Sequence, residues 1–279
     1  MRVVLTRPAN EAIVWAQGLK SAGHEVVLLP LIVIEPTPFP ERVAQFWGCL
    51  SQFQAVMFVS ANAVAGFFAG RPLGQLPGKQ SAQLWDFSRV RAWATGPGTV
   101  RALLAQGVPA NAIDSPLPSS LQFDSESLWN QVSNRFSLEK KVLIVRGMNE
   151  GWHTVVASES NGSDGLGRDW LSQKLAQAGV VVEFCVAYQR ARPVFAQEQL
   201  QSIRNWVNTG EIEHLIWLFS SSEAISNLAD ALPGQPWKQA KALCTHPRIA
   251  QRARACGFGV VWESRPTLED VVASIELSP

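Results

Sequence analysis

Short, continuous apolar runs punctuate this chain, each followed by a small polar turn and then by apolar positions three and four apart. Val3-Val4-Leu5, Ala55-Val56-Met57-Phe58-Val59, Val142-Leu143-Ile144-Val145 and Leu215-Ile216-Trp217-Leu218-Phe219 are such runs. A strand that is apolar at successive positions is covered on both faces, as in a parallel sheet, and the segment after it has the period of a helix. Ser, Asn and Thr directly after the runs are helix N-cap residues, and glycine at the far end of the periodic segment is a C-cap signal. The alternation of strand and helix predicts an α/β chain with doubly wound parallel sheets and right-handed crossovers.

Three blocks of this pattern occur twice in the same order. Arg2-Val3-Val4-Leu5-Thr6-Arg7, a helical stretch closing on Ala22-Gly23, and the run Glu25 to Ile34 are echoed by Lys141 to Arg146, Ala178-Gly179 and Val180 to Tyr188. In both copies an arginine is expected where the strand ends. Ala55 to Val64 is echoed by Leu215 to Ala224, and Ala94-Thr95-Gly96-Pro97 through Val108 by Cys244-Thr245-His246-Pro247 through Phe258. Three matches in register indicate duplication, hence two similar domains rather than one large sheet.

Proline-bearing junctions follow the second strand of each copy, at 34–38 and 188–193. If the chain leaves one domain at the first junction and returns at the second, the two segments run side by side as a two-stranded linker. The domains would then be residues 1–36 plus 191–279, and 37–190. Two consecutive domains fit the pattern equally well at this level. Residues 148–167, rich in Ser, Gly and Asn without helical period, are expected to be a flexible insertion, and 69–89 a long connection with a short helix.

Composition adds limits. Among 279 residues, Lys+Arg 24 against Asp+Glu 23 leave a net charge of +1, which gives no overall attraction to nucleic acid or an acidic membrane. The chain opens without a signal-peptide pattern and holds no apolar stretch approaching the ~20 residues of a membrane span. Four scattered cysteines without a C-x-x-C pair read as reduced thiols, so a cytoplasmic location is expected.

Strong catalytic motifs are missing. There is no G-x-G-x-x-G after a strand, no Walker lysine loop, no H-E-x-x-H and no G-x-S-x-G elbow, and the four histidines lack metal-ligand spacing. What remains is a set of polar strand ends: Ser60-Ala61-Asn62, Gly96-Pro97-Gly98-Thr99, Ser220-Ser221-Ser222 and Thr245-His246-Pro247. Ligands of open α/β sheets bind beyond the carboxyl ends of strands, where helix N-termini offer free N–H groups and partial positive charge. A cleft lined by these tips would suit a polyanion held largely by backbone amides. The alternative is that each polar residue only caps its helix.

The order of V-L-T-R-P, V-S-A-N-A-V, T-G-P-G-T-V-R-A-L, V-L-I-V-R-G, G-R-D-W-L, A-Y-Q-R-A-R-P, F-S-S-S-E-A-I and T-H-P-R-I-A-Q-R-A resembles the uroporphyrinogen-III synthase family over Arg2 to about Trp262. The resemblance implies two α/β domains joined by a two-stranded linker, with the active site in the cleft between them. It implies a monomeric hydro-lyase that uses no cofactor or metal and cyclises hydroxymethylbilane, a linear tetrapyrrole with eight carboxylates, inverting ring D and losing water. It also allows transient contact with the preceding pathway enzyme.

Residue by residue, the resemblance puts the catalytic acid at Tyr188, the only tyrosine in the chain. Substrate contacts carry over to Arg7, Ser60, Asn62, Gly96, Thr99, Arg146, Gly147, Arg168, Ser220, Ser221, Ser222 and His246. The arginines could instead anchor strand ends to helices. The second-half turn departs from the pattern, since Ile249 stands where Thr99 carries a hydroxyl. Two rival readings keep the fold and change the function: a non-catalytic two-domain sensor of a small anionic ligand, and a structural partner in a tetrapyrrole-enzyme assembly.

Overall fold

The computed structural model describes residues 1–72, 85–117, 120, 123–135, 141–149 and 166–277, without the side chains of 166–169, 207 and 208. The chain divides into two compact units, Met1–Val33 with Ala191–Pro279, and Ile34–Arg190. Each is built on a mainly parallel sheet with apolar residues on both faces, the doubly wound α/β class that the sequence pattern predicts.

The first unit is built on β1 (Arg2–Leu5), β2 (Glu25–Leu28), β9 (Leu215–Phe219), β10 (Lys241–Cys244) and β11 (Val260–Glu263). Their order in the sheet is β11-β10-β9-β1-β2, all parallel. One face packs Val3, Leu5, Ile216 and Leu218 on α1 (Ala9–Ser21) and α10 (Leu268–Glu276). The other carries Trp217 and Phe219 into contact with Trp206, Trp237 and Phe258.

The second unit holds β3 (Val33–Pro36), β4 (Phe53–Phe58), β5 (Arg91–Ala94), β6 (Ile113–Asp114), β7 (Lys141–Asn149) and β8 (Val182–Ala191) in the order β3-β8-β7-β4-β5-β6. The chain passes between units at Val33/Ile34 and Arg190/Ala191, and the strands at these two crossings, β3 and β8, are neighbours in this sheet. Thr37 Oγ1 also donates to Val186 O at 2.7 Å. Asp114 pins edge strand β6, accepting two bonds from Arg91 and one from Arg135 at 3.2 Å.

The helices of this unit include α2 (Pro40–Gly48), α3 (Ala61–Ala69), α4 (Pro97–Ala105), α5 (Ser125–Val132) and α6 (Leu166–Gln177). The chain then re-enters the first unit through α7 (Gln197–Asn208), followed by α8 (Ser222–Ala231) and α9 (Pro247–Ala255). The helix ends of the echoed blocks fold alike. Gly23 and Gly179 turn the chain after α1 and α6 at φ 84° and 79°, a region open to glycine at little cost. Gly107 and Gly257 do the same after α4 and α9.

One local expectation is corrected. Arg146 does not stand at a strand end, because β7 continues to Asn149 with Gly147, Met148 and Asn149 still opposite β8. Ladder pairing with the long β8 keeps these residues extended, so the interruption of the second copy does not start at Met148. Residues 150–165 of that expected insertion, and 73–84 of the 69–89 connection, lie outside the described residues.

Candidate active site at the strand ends

Because β4 and β5 run parallel, their carboxyl ends lie on the same edge of the six-stranded sheet. β4 leads through Val59 into Ser60, the N-cap of α3, whose Oγ accepts from the Ala63 N–H at 3.1 Å. Next to it, Thr95 Oγ1 donates to Val59 O at 3.2 Å and ties the two strand ends together. Gly96 caps α4 through its backbone, with Pro97 at the first helical position, where its missing N–H costs nothing.

Tyr188 completes the group. It comes from β8, its ring is buried (5% exposed), and its hydroxyl stands 3.2 Å from Ser60 Oγ. Ser60 therefore links the capped end of α3 to the single phenol of the chain. Gly147 lies opposite Tyr188 in the β7–β8 register. So Ser60, Gly147 and Tyr188, which lie far apart in sequence, meet in one place.

Thr99 and Asn62 are buried in the first turns of their helices, at 4% and 6% exposure. Ile249, in the place of Thr99 in the first unit, is also buried. The position is thus buried in both units, with a hydroxyl in one and an aliphatic side chain in the other.

The first unit repeats the design with other side chains. Ser221 caps α8, accepting from Glu223 N–H at 3.2 Å, while Ser220 lies in the bend before it. His246 caps α9 through Nδ1, which accepts from Arg248 N–H at 3.1 Å, so a neutral ring carries its proton on Nε2. Thr6 donates its hydroxyl to Leu218 O at 2.7 Å, and Thr245 N–H donates to Phe219 O at 3.1 Å.

The arginines have local partners. Arg7 pairs with Glu11 at 3.0 Å and lies 4.0 Å over the Trp15 ring, both on the helix that follows it. Arg146 lies over Phe184 at 4.3 Å. The Arg7 contacts fit the strand-to-helix anchoring left open by the sequence, whereas Arg146 lies on a ring of the neighbouring strand β8. The side chain of Arg168 lies outside the described residues. Among the described residues no cluster of His, Cys, Asp and Glu suits a metal ion, and no helix is long and apolar enough to cross a membrane.

A residue that no motif singled out belongs to this site's frame: Gly66, on the face of α3 toward β8, where it meets Ala187. The available signal was a lone glycine inside a strongly apolar helix, which costs about 1 kcal/mol against alanine and so points to a reason in packing.

A sequence profile of the family described as uroporphyrinogen-III synthase HemD matches residues 13–273. The chain belongs to the uroporphyrinogen-III synthase family. Its members are cyclising hydro-lyases of tetrapyrrole biosynthesis acting on a small-molecule tetrapyrrole, and nothing favours the sensor reading. Among solved structures, uroporphyrinogen-III synthetase from Helicobacter pylori is similar at 15% identity, covering 100% of both chains with a TM-score of 0.57. A mutant uroporphyrinogen III synthase from Thermus thermophilus is similar at 15% identity, covering 99% of this chain and 98% of its own, with a TM-score of 0.53. At that identity the likeness bears on the fold, and membership rests on the profile.

Proposed function

We propose that this uroporphyrinogen-III synthase family chain closes hydroxymethylbilane to uroporphyrinogen III with Tyr188 as the proton donor to the departing hydroxyl. The proton leaves the phenol for that oxygen, the C–O bond breaks, and water departs to leave an azafulvenium cation on ring A. The substituted carbon of ring D then attacks, giving a spiro intermediate that opens and recloses with the ring inverted, and the proton lost on reclosure restores the phenol. The single observation that carries this reading is the Tyr188 hydroxyl held 3.2 Å from Ser60 Oγ at the N-terminus of α3. The partial positive charge of that helix end suits an oxygen that becomes negative as it gives up its proton.

Most of the task is conformational, because the cation is already reactive and the free chain closes to the uninverted isomer. Holding one geometry can supply about 7–11 kcal/mol, and one placed acid roughly 10²–10⁴-fold in rate. Substrate carboxylates are taken up by strand-end groups of both units, including Ser60, Asn62, Gly96, Thr99, Ser220, Ser221, Ser222 and His246, with Arg7, Arg146 and Arg168 as charge partners. Backbone amides at four helix starts carry most of this binding. We further assign the reaction to a monomer in the cytoplasm, in transient contact with the enzyme that supplies the bilane. The cysteines Cys49, Cys185, Cys244 and Cys256 are free thiols, the form favoured by a reducing compartment.

The test is to supply hydroxymethylbilane and separate the porphyrin isomers after oxidation. Type III in excess over the spontaneous type I product is expected, and type I alone would refute catalysis. Tyr188→Phe should retain binding and lose turnover, and an unchanged rate would remove the phenol from the mechanism.

A further inference from the structure

Along β8, Val182 and Phe184 pack on the core face of Met57 and Ile144, while Cys185 and Ala187 pack on the opposite face with Phe58 and Val145. Continued at a period of two, this alternation would send Tyr188 to the Phe184 face. Tyr188 instead joins Cys185 and Ala187. The register gives the reason: Arg146 stands opposite Val186 and Gly147 opposite Tyr188, so Ala187 is an extra residue without a partner on β7. One inserted residue reverses which face the following side chains take.

A ring turned this way needs room on the face it enters. Gly147 has the same parity as Leu143 and Val145, so a side chain there would project toward that face. A Cβ built on it would fall 2.9 Å from Tyr188 Cε1, 2.5 Å from Cε2 and nearer still to Cζ. The ring therefore occupies the space that any other residue would fill. Behind the bulge, a Cβ on Gly66 would fall 2.8 Å from the carbonyl carbon of Ala187 and nearer still to its oxygen. α3 thus lies directly against the bulge, with Ser60 at its start within reach of the phenol.

We infer that Gly147 is a positioning residue for Tyr188: with the bulge at Ala187, its bare face fixes the ring so that the hydroxyl stands at the start of α3. This replaces the substrate contact expected of Gly147, whose face is covered by the ring. The inference rests on the proposed role of Tyr188 as acid.

The test is a double-mutant cycle with Gly147→Ala and Tyr188→Phe on the full chain, reading kcat, KM and melting temperature. Gly147→Ala is expected to lower kcat on the order of 10²-fold, the scale of a misplaced reacting group, while KM stays nearly constant. In the Tyr188→Phe background the same change should lower kcat no further, although the melting temperature falls as much, because the substituted ring meets the same methyl group. Equal proportional losses of kcat in both backgrounds, or wild-type kcat for Gly147→Ala, would overturn the inference. If Tyr188→Phe alone keeps the wild-type kcat, the acid role fails and the positioning role with it. If Tyr188→Phe is slow and the cycle is additive, only the positioning role fails. Should Gly147→Ala not fold, Ala187→Gly loosens the bulge without adding an atom and runs the same cycle. A several-fold kcat loss confined to the background that keeps Tyr188 is expected, and a loss in both backgrounds or in neither counts against the inference.

Discussion

The duplicated units treat one equivalent piece of backbone in opposite ways. Matching Gly23 to Gly179 sets Leu31 opposite Ala187 and Ile32 opposite Tyr188; matching Ser60 to Ser220 sets Gly66 opposite Ser226 and Phe67 opposite Asn227. In the first unit β2 stops at Leu28, Pro30 cannot donate to a ladder, and the Leu31 carbonyl accepts from Asn227 Nδ2 at 2.8 Å. Ile32 there is a buried aliphatic residue. In the second unit β8 runs on to Ala191, bulges at Ala187 and presses that carbonyl against Gly66. The same frame thus yields a closed, hydrogen-bonded corner in one copy and a seated phenol in the other. Duplication supplies the scaffold, and the departure from the duplicate coincides with the place of the proposed acid.

That contrast can be broken at its chemical end first. Tyr188→Phe should reduce kcat on the order of 10²-fold or more in the bilane assay with little change in the melting curve. Less drastic is the counterpart in the first unit: Asn227→Ala leaves the Leu31 carbonyl without its donor. It should destabilise the fold by about 1–3 kcal/mol in denaturant titration while kcat holds. A matched pair of caps gives a finer comparison. Ser60→Ala and Ser221→Ala should each cost about 1 kcal/mol of stability through the lost N-cap. Only Ser60→Ala should also lower kcat, by roughly tenfold, since only Ser60 meets the phenol, whereas loss of Ser221 as a substrate contact would show in KM. An equal loss of kcat in the two would dissolve the asymmetry.

The smallest effect concerns the thiols. Burial pushes Cys185 in the second unit and Cys244 in the first up to about 12. Both thiols therefore stay protonated at every pH well below that value, and the thiolate that reacts is scarce at about pH 8. Neither should be labelled by a thiol reagent at about pH 8 until the chain is unfolded, when all four cysteines become available. Labelling of one before the other would show that one unit opens more readily.

The α/β class, the parallel strands and the two-fold repetition were legible in the sequence, because continuous apolar runs and glycine-ended helices are local signals repeated at fixed spacing. The caps at Ser60 and Ser221 were legible for the same reason. Arg146 was misjudged as a strand end, since the continuation of β7 depends on its neighbour β8 rather than on its own residues. The place of Tyr188 near functional groups was available only through family resemblance.

By itself the sequence determined which segments become strands and helices, where the helices start, and that the chain repeats itself, all consequences of side-chain periodicity and backbone preference over a few residues. Tertiary structure alone decided which face Tyr188 takes, that Gly147 lies beneath its ring, that Gly66 admits the Ala187 carbonyl, and that Ser60 is the hydroxyl it meets. The reason is register: an unmatched residue in a strand has meaning only against the partner strand, and that pairing joins residues about forty positions apart, beyond the reach of any local pattern.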